Sequence, residues 1–406
     1  MSRIGKVYVV CAIDTEGPIQ DPRKPDILDS WDRVDALIKD MTSKAYRCQY
    51  PDSEGKGLIY SWFILTLSGF KTNPFNRPMG YNIVHRHYLE THGQNFENYG
   101  DGIYWHYHQP APSGIGNEWC RDWTHTNEYL NILAHLVLDE HFFPACFRAG
   151  GRIEDNDLSH WLEQWIPFDY SNCSGNVDWE RRESDGKKLK EVCDWSRASR
   201  DWFPYHPSFE DYQISGNQRR WVFRCPDLAS PVHQLSEADI TEAFQRAQEG
   251  EDAVLAFFEH DRRDHVKDKI HQHACQTITR AAQKFQNVRW VYANAAEAAM
   301  KVLRLSKTQA PSFSIRIQSN NRLMITTSGD IFGTQPFTCA VIAGKYDILP
   351  LQVIGRGKWL SSAIPLDFLT KVGIAANHLG GQAGVSVFEW SEQTFHRVKK
   401  EGVLSL

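Results

Sequence analysis

Residues 7–18 read VYVVCAIDTEGP, and this stretch decides the fold class that the sequence predicts. Its first part is apolar and rich in valine, as in a buried strand. It runs directly into Asp14 and Glu16, which are separated by one residue. If the strand continues that far, its period of two places both carboxylates on one face at its carboxyl end.

Two acids on one face repel each other unless a cation or a shared proton relieves them. The pair therefore predicts a metal ligand beside a general base. The alternative is a solvated turn, which Gly17 and Pro18 would also favour.

Similar apolar segments recur along the first three quarters of the chain, and segments of helical period separate them. The predicted strands are 7–13, 59–65, 103–106, 145–147, 168–170, 254–258 and 288–292, and the predicted helices are 27–41, 127–140, 157–165, 237–248, 266–285 and 295–303. Strands and helices that alternate over about 300 residues predict a parallel α/β sheet, and closure into a barrel is the commonest way to bury one of this size. In such a barrel the chemistry lies at the carboxyl ends of the strands.

The composition excludes several classes of protein. A hydrophobic content of 41% provides enough apolar mass for a packed core, and nine cysteines without a CxxC pair predict neither a disulfide framework nor a zinc ribbon. The net charge of −5 gives no reason to expect nucleic acid as a partner. No apolar run is long enough to span a bilayer and no signal-peptide core follows the first residues, so we expect a cytoplasmic protein with reduced thiols and no transmembrane segment.

A polar stretch that ends in a proline, residues 306–311, marks a change in the character of the chain. A length of 406 residues fits one barrel-sized domain with an appendage. We therefore expect an α/β barrel over 1–305, with an insertion at about 172–232, and a C-terminal accessory domain over 311–406.

The C-terminal part has the pattern of antiparallel strands. Phe313, Ile315 and Ile317 alternate with polar residues, and two asparagines at 320–321 form a turn before a returning strand. Further strands are predicted at 337–342, 349–354 and 384–388. The pattern predicts a small antiparallel β-sandwich, whose role can be to bind carbohydrate, to form a dimer interface or to brace the barrel.

The insertion at about 172–232 interleaves tryptophans and tyrosines with arginines. We predict that it caps the barrel mouth, with an aromatic face for a sugar ring and with Arg197 and Arg200 for a carboxylate or phosphate. The alternative is a structural insertion whose aromatic side chains fill a small core of their own.

The segment 102–110 reads GIYWHYHQP and places two histidines at the end of an apolar strand. His106 and His108 share a face there, and two imidazoles with one carboxylate are a standard ligand set for catalytic Zn²⁺. The alternative is a pair of ordinary buried histidines that form hydrogen bonds. His85 and His87 have the same spacing but follow no strong apolar strand, and we expect them on a surface helix or loop.

Two later segments provide polar groups after predicted strands. Arg148 can hold a carboxylate through two hydrogen bonds, and the glycine pair at 150–151 permits the backbone to approach a site closely. His260 follows a buried strand between Glu259 and Asp261, and we expect the nearby acids to keep it protonated as a candidate general acid. The alternative is a charged loop with capping residues for the next helix.

In this order along the chain, these segments resemble the NodB-homology polysaccharide deacetylases, also called carbohydrate esterase family 4. The stretch 13–17 resembles their TFDDG motif with one residue inserted between the acids, 105–108 resembles their histidine motif, 148–151 their arginine motif and His260 their late histidine. The resemblance covers roughly residues 1–305 and implies a distorted (β/α)₇ barrel. The chain departs from the family in having glutamate instead of aspartate at 16 and a shorter spacing between the histidines.

The resemblance implies a metal-dependent hydrolase that removes an N-acyl group, most often acetyl, from an amino sugar or sugar precursor. The implied cofactor is a divalent ion, Zn²⁺ in the first place, which activates water and polarises the amide carbonyl. The implied roles are metal ligand for Glu16, His106 and His108, general base for Asp14, orientation of that base for Arg148, and proton donor to the departing amine for His260. We also expect Trp105 and Asp169 to contact the substrate. The two acids can exchange roles if the strand bulges at Thr15.

Without a signal sequence, the resemblance points to cytoplasmic members that act on sugar precursors, such as those of lipopolysaccharide O-antigen assembly. The expected partner is an amino-sugar substrate, which can be a sugar nucleotide, a lipid-linked sugar or an oligosaccharide. Whether the chain forms a homo-oligomer is left open by the sequence. An N-deformylase or cyclic-amide hydrolase on the same barrel, and a degenerate barrel that only binds glycan or protein, are the competing functions. A two-carboxylate glycosidase is disfavoured, because Asp14 and Glu16 are too close in sequence to flank a bond about 5–9 Å across.

Overall fold

The computed structural model describes residues 3–22, 24–116, 118, 120, 122–123, 125–174, 193–228, 234–306 and 308–398. Eight strands form one sheet in which every strand pairs in parallel with its neighbours: β1 (Lys6–Thr15), β2 (Tyr60–Thr66), β3 (Gly102–Tyr107), β4 (Cys146–Ala149), β5 (Phe168–Asn172), β6 (Trp221–Arg224), β7 (Ala253–His260) and β8 (Arg289–Tyr292). Seven of them lie in the order β6-β5-β4-β3-β2-β1-β7. β8 pairs with the first half of β1, on the edge that β2 occupies further along. The predicted parallel α/β sheet is confirmed.

Helices connect most of these strands: α1 (Trp31–Met41), α2 (Lys44–Arg47), α3 (Ile83–Tyr99), α4 (Glu128–Leu138), α5 (Asn156–Leu162), α6 (Glu237–Gln248), α7 (Val266–Lys269), α8 (Gln276–Lys284) and α9 (Ala295–Val302). A π-helical turn, Ile270–Cys275, joins α7 to α8, so the helix predicted at 266–285 has a π segment in its middle. Asn294 accepts a hydrogen bond from the backbone N–H of Glu297 and caps α9. α1 begins later than predicted, because Ile27 forms a β-bridge instead.

The sheet curls so that its two edge strands approach each other. A parallel bridge joins Asp227, just after β6, to Phe258 of β7, and Tyr205 bridges β6 in the antiparallel sense. The carbonyl of Trp202 accepts a hydrogen bond from the backbone N–H of Val254 at 2.8 Å. Segments outside the eight strands therefore fill the gap between β6 and β7, which makes the architecture barrel-like.

Alternate side chains of the strands face the inside of the barrel. Val10 and Ala12 of β1 lie in one buried cluster with inward residues of the other strands. Ala295 and Ala299 of α9 belong to the same cluster, so α9 closes the barrel at the amino ends of its strands. Asp14 continues the inward series of β1 beyond this apolar floor, which places polar residues at the opposite end.

The chain after α9 forms two antiparallel sheets that pack face to face around a common core. Their strands are β9 (Phe313–Gln318), β10 (Arg322–Thr327), β11 (Phe337–Ile342), β12 (Lys345–Ile348), β13 (Leu351–Gly355), β14 (Lys358–Ala363), β15 (Leu369–Asn377), β16 (Ala383–Ser391) and β17 (Thr394–Arg397). One sheet has the order β13-β14-β10-β9 and the other the order β12-β11-β15-β16-β17. The predicted hairpin is β9 with β10, and Asn320 adopts a left-handed backbone there (φ +70°). Sequence analysis missed β12, β14, β15 and β17, in which polar or charged residues or glycine interrupt the apolar pattern.

The five-stranded C-terminal sheet shares a buried apolar cluster with α4. Phe337 of β11 and Ala375 of β15 lie in this cluster with Val137 of the helix. The packing is closest at Gly373, where a Cβ atom would lie 2.7 Å from Val137 Cγ1. This sheet therefore supports the helix that follows β3, while the boundary and accessory role predicted for 311–406 stay predictions.

The described part of the predicted insertion forms a small core. Trp195, Tyr205 and Tyr212 are buried together against β6. These aromatic rings therefore fill the insertion's own interior, as in the alternative left open by the sequence, and do not present a face to a sugar. β6 lies inside the predicted insertion but belongs to the main sheet, so the insertion is shorter than predicted. Residues 175–192 and 229–233 lie outside the described residues.

The sequence predicts neither a transmembrane segment nor a disulfide framework. None of their helices combines the length and the apolarity that a bilayer crossing needs. All nine cysteines are among the described residues, and none forms a disulfide. In the small core of the insertion, the Sγ atoms of Cys173 and Cys193 are 3.8 Å apart, whereas bonded sulfurs are about 2.05 Å apart.

Candidate metal site

Asp14 ends the inward-facing series of β1 and is bound by Arg148 of β4. The Nε and Nη2 atoms of Arg148 donate to the two carboxylate oxygens at 2.7 and 3.0 Å, and Nη1 donates to the carbonyl of Tyr170 at 2.6 Å. The guanidinium also lies over the Phe258 ring, 3.8 Å from its centre. Both charged side chains are buried. The two-point contact fixes the Asp14 carboxylate at the barrel mouth.

Glu16 lies just beyond β1, and two guanidinium groups hold its carboxylate. Arg77 donates to Oε2, and Arg262 contacts Oε1. Burial alone would raise the pKa of Glu16, but Arg262 and Arg77 hold this pKa well below its usual range, so the carboxylate is ionised at neutral pH. The Nε2 atoms of His260 and His108 approach Oε1 to 3.6 and 3.9 Å. Glu16 is thus an anionic centre between two imidazoles and two guanidiniums.

His106 and His108 face each other across the same space. Their Nε2 atoms are 3.0 Å apart, and Nδ1 of His106 lies 3.0 Å from the carbonyl oxygen of Arg148. Because a carbonyl can only accept, Nδ1 carries the proton, and Nε2 of a neutral His106 directs a lone pair into the cluster. Burial is the main cause that lowers the pKa of both histidines, so both imidazoles are neutral at pH 7.

The glycine pair after β4 makes room for one of these imidazoles. Gly150 begins a 3₁₀ turn, Gly150–Arg152, and a Cβ atom on it would lie 2.4 Å from Cγ of His108. Any other residue would displace the ring or the turn. The close approach of backbone to a site, which the glycine pair predicted, is present at Gly150.

Asp261 fixes the backbone that carries Glu16. Its carboxylate accepts hydrogen bonds from the backbone N–H groups of Glu16 and Gly17 at 2.9 and 2.8 Å and from the hydroxyl of Tyr88 at 2.6 Å. Burial raises the pKa of Asp261 to about 7. Asp261 is therefore a positioning residue that ties the end of β1 to the end of β7.

His260 ends β7 beside the Glu16 carboxylate. Its backbone N–H donates to an oxygen of Glu259 at 2.9 Å, and its Nδ1 lies 3.3 Å from that oxygen. Burial, Arg262 and Arg263 lower the pKa of His260 well below its usual value. The expectation that nearby acids keep His260 protonated is therefore wrong, because burial and two cations outweigh them.

Together these side chains form the Glu16 cluster, which consists of Glu16, His106, His108, His260, Arg77 and Arg262. Glu16, His106 and His108 each place one ligand atom within 4.8 Å of the others, and all three are buried. Neutral imidazoles and an ionised carboxylate are the donors that Zn²⁺ takes in three-ligand sites. A hydrogen bond like that from His106 to the Arg148 carbonyl commonly orients a zinc-bound imidazole. The residues therefore fit a divalent ion, and their individual roles stay predictions.

Sequence analysis did not place Arg77 and Arg262 in the site. Arg77 lies in the loop between β2 and α3, where the Asn73 side chain bonds its backbone N–H and carbonyl at 2.9 and 2.8 Å. No local pattern marks this position. Arg262 lies in the turn that follows β7, two residues after His260, where strand alternation no longer applies.

Trp105 and Asp169, which were expected to contact substrate, are buried away from the Glu16 cluster. Trp105 alternates with His106 and faces outward, where its Nε1 donates to Thr66 at 2.8 Å. Asp169 also faces outward and accepts a hydrogen bond from Arg220 at 2.6 Å. Both side chains face outward, because one residue along a strand reverses the face of the side chain, and their contact with substrate stays a prediction.

Asp169 belongs to a second charged group, the Arg220 cluster, which consists of Arg220, Glu154 and Asp169. The guanidinium donates to Asp169, to Glu154 and, at 3.1 Å, to the hydroxyl of Ser159. Burial, and then the charge of Asp169, raise the pKa of Glu154 well above its usual range. Arg220 is therefore the cation between two buried carboxyl groups, and Glu154 takes up a proton more readily than an exposed glutamate.

Arg197 and Arg200 lie in the described part of the insertion. Arg197 pairs with Asp211 at 3.0 Å, and its side chain is largely exposed. The carbonyl of Arg200 accepts a hydrogen bond from Arg224 at 2.9 Å. These contacts do not connect either arginine to the Glu16 cluster, and their role in anion binding stays a prediction.

A cavity of about 340 Å³ opens elsewhere, between α4 and the C-terminal sheets. Tyr81, His135 and Tyr346 line it, and His135 packs against both tyrosine rings with ring centres 4.3 and 3.6 Å apart. Its lining includes no member of the Glu16 cluster. The cavity is therefore separate from the candidate metal site.

No protein-family model matches the chain, and no curated protein sequence matches it. A crystal structure of Agd3, described as a novel carbohydrate deacetylase, is similar with a TM-score of 0.37 and 9% sequence identity. The match covers 89% of this chain but 64% of that one, so this chain spans less than two thirds of the length of the solved structure. A likeness of this strength does not indicate the chemistry of the chain, which depends on the side chains of the Glu16 cluster.

Proposed function

We propose that this chain is a metal-dependent hydrolase that removes an N-acyl group, most often acetyl, from an amino sugar or sugar precursor. The observation that carries the proposal is the buried group of Glu16, His106 and His108 beside a carboxylate that Arg148 fixes. The resemblance of the motifs to NodB-homology polysaccharide deacetylases supports an acylated sugar as substrate, with cell-surface polysaccharide or O-antigen biosynthesis as the setting.

When bound, a divalent ion, Zn²⁺ in the first place, supplies Lewis-acid activation of the amide carbonyl and of water. Glu16, His106 and His108 hold it. Asp14 accepts the proton of the attacking water, because its oxygens keep lone pairs beyond those that Arg148 occupies. The ligand atoms of Glu16, His106 and His108 lie within 4.8 Å of one another, which supports Glu16 as ligand and Asp14 as base.

His260 completes the reaction as a proton carrier. It is neutral in the resting site, so Nε2 must take up a proton before it can protonate the departing amine. Glu259 lies beside Nδ1, and burial raises the pKa of Glu259 to about 7. An ionised Glu259 would stabilise the imidazolium, which couples the proton affinity of His260 to a carboxyl that titrates near neutral pH.

The test measures acid release and metal content together. Zinc-loaded protein should release acetate from at least one member of a panel of N-acetylated sugars, sugar nucleotides and lipid-linked sugars. Asp14→Asn should keep its zinc and lose about 10²–10⁴-fold in turnover. Asp157→Asn changes an exposed acid at the start of α5 and should keep both.

Asparagine is chosen at Asp14 because it leaves an oxygen that can accept from the buried Arg148. Loss of zinc from Asp14→Asn, with retention in Glu16→Gln, would exchange the roles of the two acids. Release of formate instead of acetate from N-formyl sugars would indicate the N-deformylase alternative. A panel that yields no acid at all would contradict the proposal.

A further inference from the structure

We propose that Arg77 and Arg262 bind an oxyanion group, a carboxylate or a phosphate, on the sugar substrate. This inference rests on the proposed function, because it names the substrate class of the same site. It starts from the contacts of both guanidiniums with the single carboxylate of Glu16.

The exposure of the arginines separates two kinds of ion pair. The side chains of Arg148 and Arg220 are 0% exposed, whereas those of Arg77 and Arg262 are 12% and 13% exposed. An arginine that only braces the fold is enclosed by its partners. Arg77 and Arg262 instead keep a surface that a ligand can reach.

Arg262 also has donor capacity that the protein does not use. A guanidinium carries five N–H donors, and Nε of Arg262 is buried without a hydrogen-bond partner among the described residues. The carboxylate of the neighbouring Asp261 accepts instead from two backbone N–H groups and from Tyr88. Nε of Arg220 is also buried without such a partner, but that side chain is fully enclosed, whereas the exposed part of Arg262 lets a ligand complete its donors.

The charges of the site point the same way. Arg148 neutralises Asp14. Glu16 is the main counter-charge of Arg77 and Arg262, and Asp21 and Asp261 add smaller contributions. A divalent ion on Glu16 would add two positive charges and compete with the guanidiniums for this carboxylate. A neutral N-acyl sugar brings no charge to balance this excess, whereas a carboxylate or phosphate on the sugar would pair with the two arginines.

The first experiment compares ligands on the wild-type chain. Calorimetry with zinc-loaded and chelator-treated protein uses inorganic phosphate, N-acetylglucosamine, N-acetylglucosamine 1-phosphate and N-acetylmuramic acid as probes. The two anionic sugars should bind at least about tenfold more tightly than N-acetylglucosamine. Their ranking distinguishes a phosphate from a carboxylate as the recognised group. Equal affinity for neutral and anionic sugars would overturn the inference.

The second experiment separates recognition from support of the fold. Arg77→Gln and Arg262→Gln should each weaken binding of the anionic sugars about tenfold and change binding of N-acetylglucosamine by less than about twofold. Zinc affinity should rise in both variants, because a cation beside Glu16 is removed. A structural arginine would show the opposite, with anion, neutral sugar and zinc binding falling together.

The matched control is Arg246→Gln, whose guanidinium pairs with exposed Asp201 at 3.0 and 2.9 Å. It should change none of the three affinities. Arg262→Lys keeps the charge but not the planar donor pair and should show an intermediate loss of anion binding. The unfolding temperature of each variant identifies any protein that fails to fold.

The inference and the proposed function can fail separately. Efficient acetate release from neutral sugars without preference for anionic ones would uphold the hydrolase and overturn the role of the arginines. Selective anion binding that both glutamine variants lose, without acid release from any sugar, would support the arginines and contradict the hydrolase.

Discussion

The Glu16 cluster and the Arg220 cluster are built from the same charged residue types on strands of one sheet. In the Arg220 cluster, Glu154 and Asp169 enclose one arginine, and no side chain of the three is more than 1% exposed. In the Glu16 cluster, one carboxylate faces two arginines and two neutral imidazoles that remain partly open. The Arg220 cluster is enclosed by protein, whereas Arg77, Arg262 and His260 of the Glu16 cluster each keep an exposed fraction of 12–13%.

The difference comes from the face of the strand. Asp169 faces outward beneath α5, where Arg220 pairs with it and both side chains are enclosed. Asp14, His106 and His260 face inward at the carboxyl end of the barrel, above the apolar floor that α9 closes. Residue type alone therefore does not mark a site. A charged group that the protein encloses can only support the fold, whereas a charged group at the barrel mouth can also bind a ligand.

The largest effect on stability should come from replacing the arginine of the Arg220 cluster. Arg220→Met should lower the free energy of unfolding by about 3–5 kcal/mol, because it leaves two acids buried without a cation. Urea unfolding measures the change, and zinc content per folded molecule should not alter. In the control Arg246→Met, loss of a partly exposed pair should cost less than about 1 kcal/mol. Equal losses in the two variants would mean that the Arg220 cluster is hydrated.

A substitution in the Glu16 cluster should affect zinc binding more than the stability of the fold. Glu16→Gln should weaken zinc binding at least about 100-fold, or about 2.7 kcal/mol, because one of three protein ligands loses its charge. Competition with a chelator measures the dissociation constant. Glu90→Gln, at an exposed position of α3, is the control and should bind zinc as the wild type does. Unchanged zinc affinity in Glu16→Gln would move the metal site elsewhere.

The pH dependence of stability should reveal the raised pKa of Glu154 in the Arg220 cluster. The folded-state pKa of Glu154 is raised, so the folded chain keeps a proton that the unfolded chain releases above pH of about 4.3. This contribution is complete below that pH and is lost as pH rises, at up to about 1.4 kcal/mol per pH unit. The free energy of unfolding of Glu154→Gln should therefore improve relative to wild type as pH rises from 5 to 8.

A residue with the opposite shift provides the control for that measurement. Arg86 and His85 offset the burial of Glu140 and lower its pKa to about 2. Its contribution is present above pH of about 4.3 and is lost as pH falls toward 2. Glu140→Gln should therefore be least stable relative to wild type at neutral pH and should lose this deficit in acid. Parallel pH profiles for both variants would contradict the assignment of the proton to Glu154.

A smaller effect tests the space around the imidazoles. Gly150→Ala should weaken zinc binding about tenfold, because the new Cβ would displace the ring of His108. Gly151→Ala is the matched neighbour: its backbone has φ of +60°, so alanine should lower stability by about 1 kcal/mol without changing zinc affinity. If both variants bind zinc normally, the turn after β4 is more adaptable than its contacts indicate.

The smallest effect separates the two candidate anion sites. The geometry predicts that replacing both Arg197 and Arg200 by alanine changes the affinity for anionic sugars by less than about twofold, because Arg197 is an exposed side chain with a surface partner. Calorimetry with the same sugars provides the measurement. A loss as large as that of Arg262→Gln would return anion recognition to the insertion.

Much of the candidate site could be predicted from local pattern. Asp14, His106, Arg148 and His260 each follow an apolar strand, and parallel strands bring their carboxyl ends to one edge. The same alternation, applied consistently, would have placed Trp105 on the outer face of β3.

The remaining features depend on contacts between distant segments. Arg77 reaches Glu16 from a loop, across a sequence separation of 61 residues, without any strand to direct it. The low pKa of His260 depends on burial, which adjacent residues cannot reveal. β6 consists of four residues among arginines and aromatic residues, and only its pairing with β5 makes it a strand.

The apolar cluster that α4 shares with the five-stranded C-terminal sheet affects folding during synthesis. Cys339 of β11 lies 205 residues after Ala134 of α4, so the ribosome needs roughly 10–40 s to make the surface that covers this helix. Until then, the helix that follows the histidine-bearing strand exposes its outer apolar face in the nascent chain. A chaperone that shields this face should therefore raise the yield of folded protein, and a premature stop before β11 should leave an aggregating barrel.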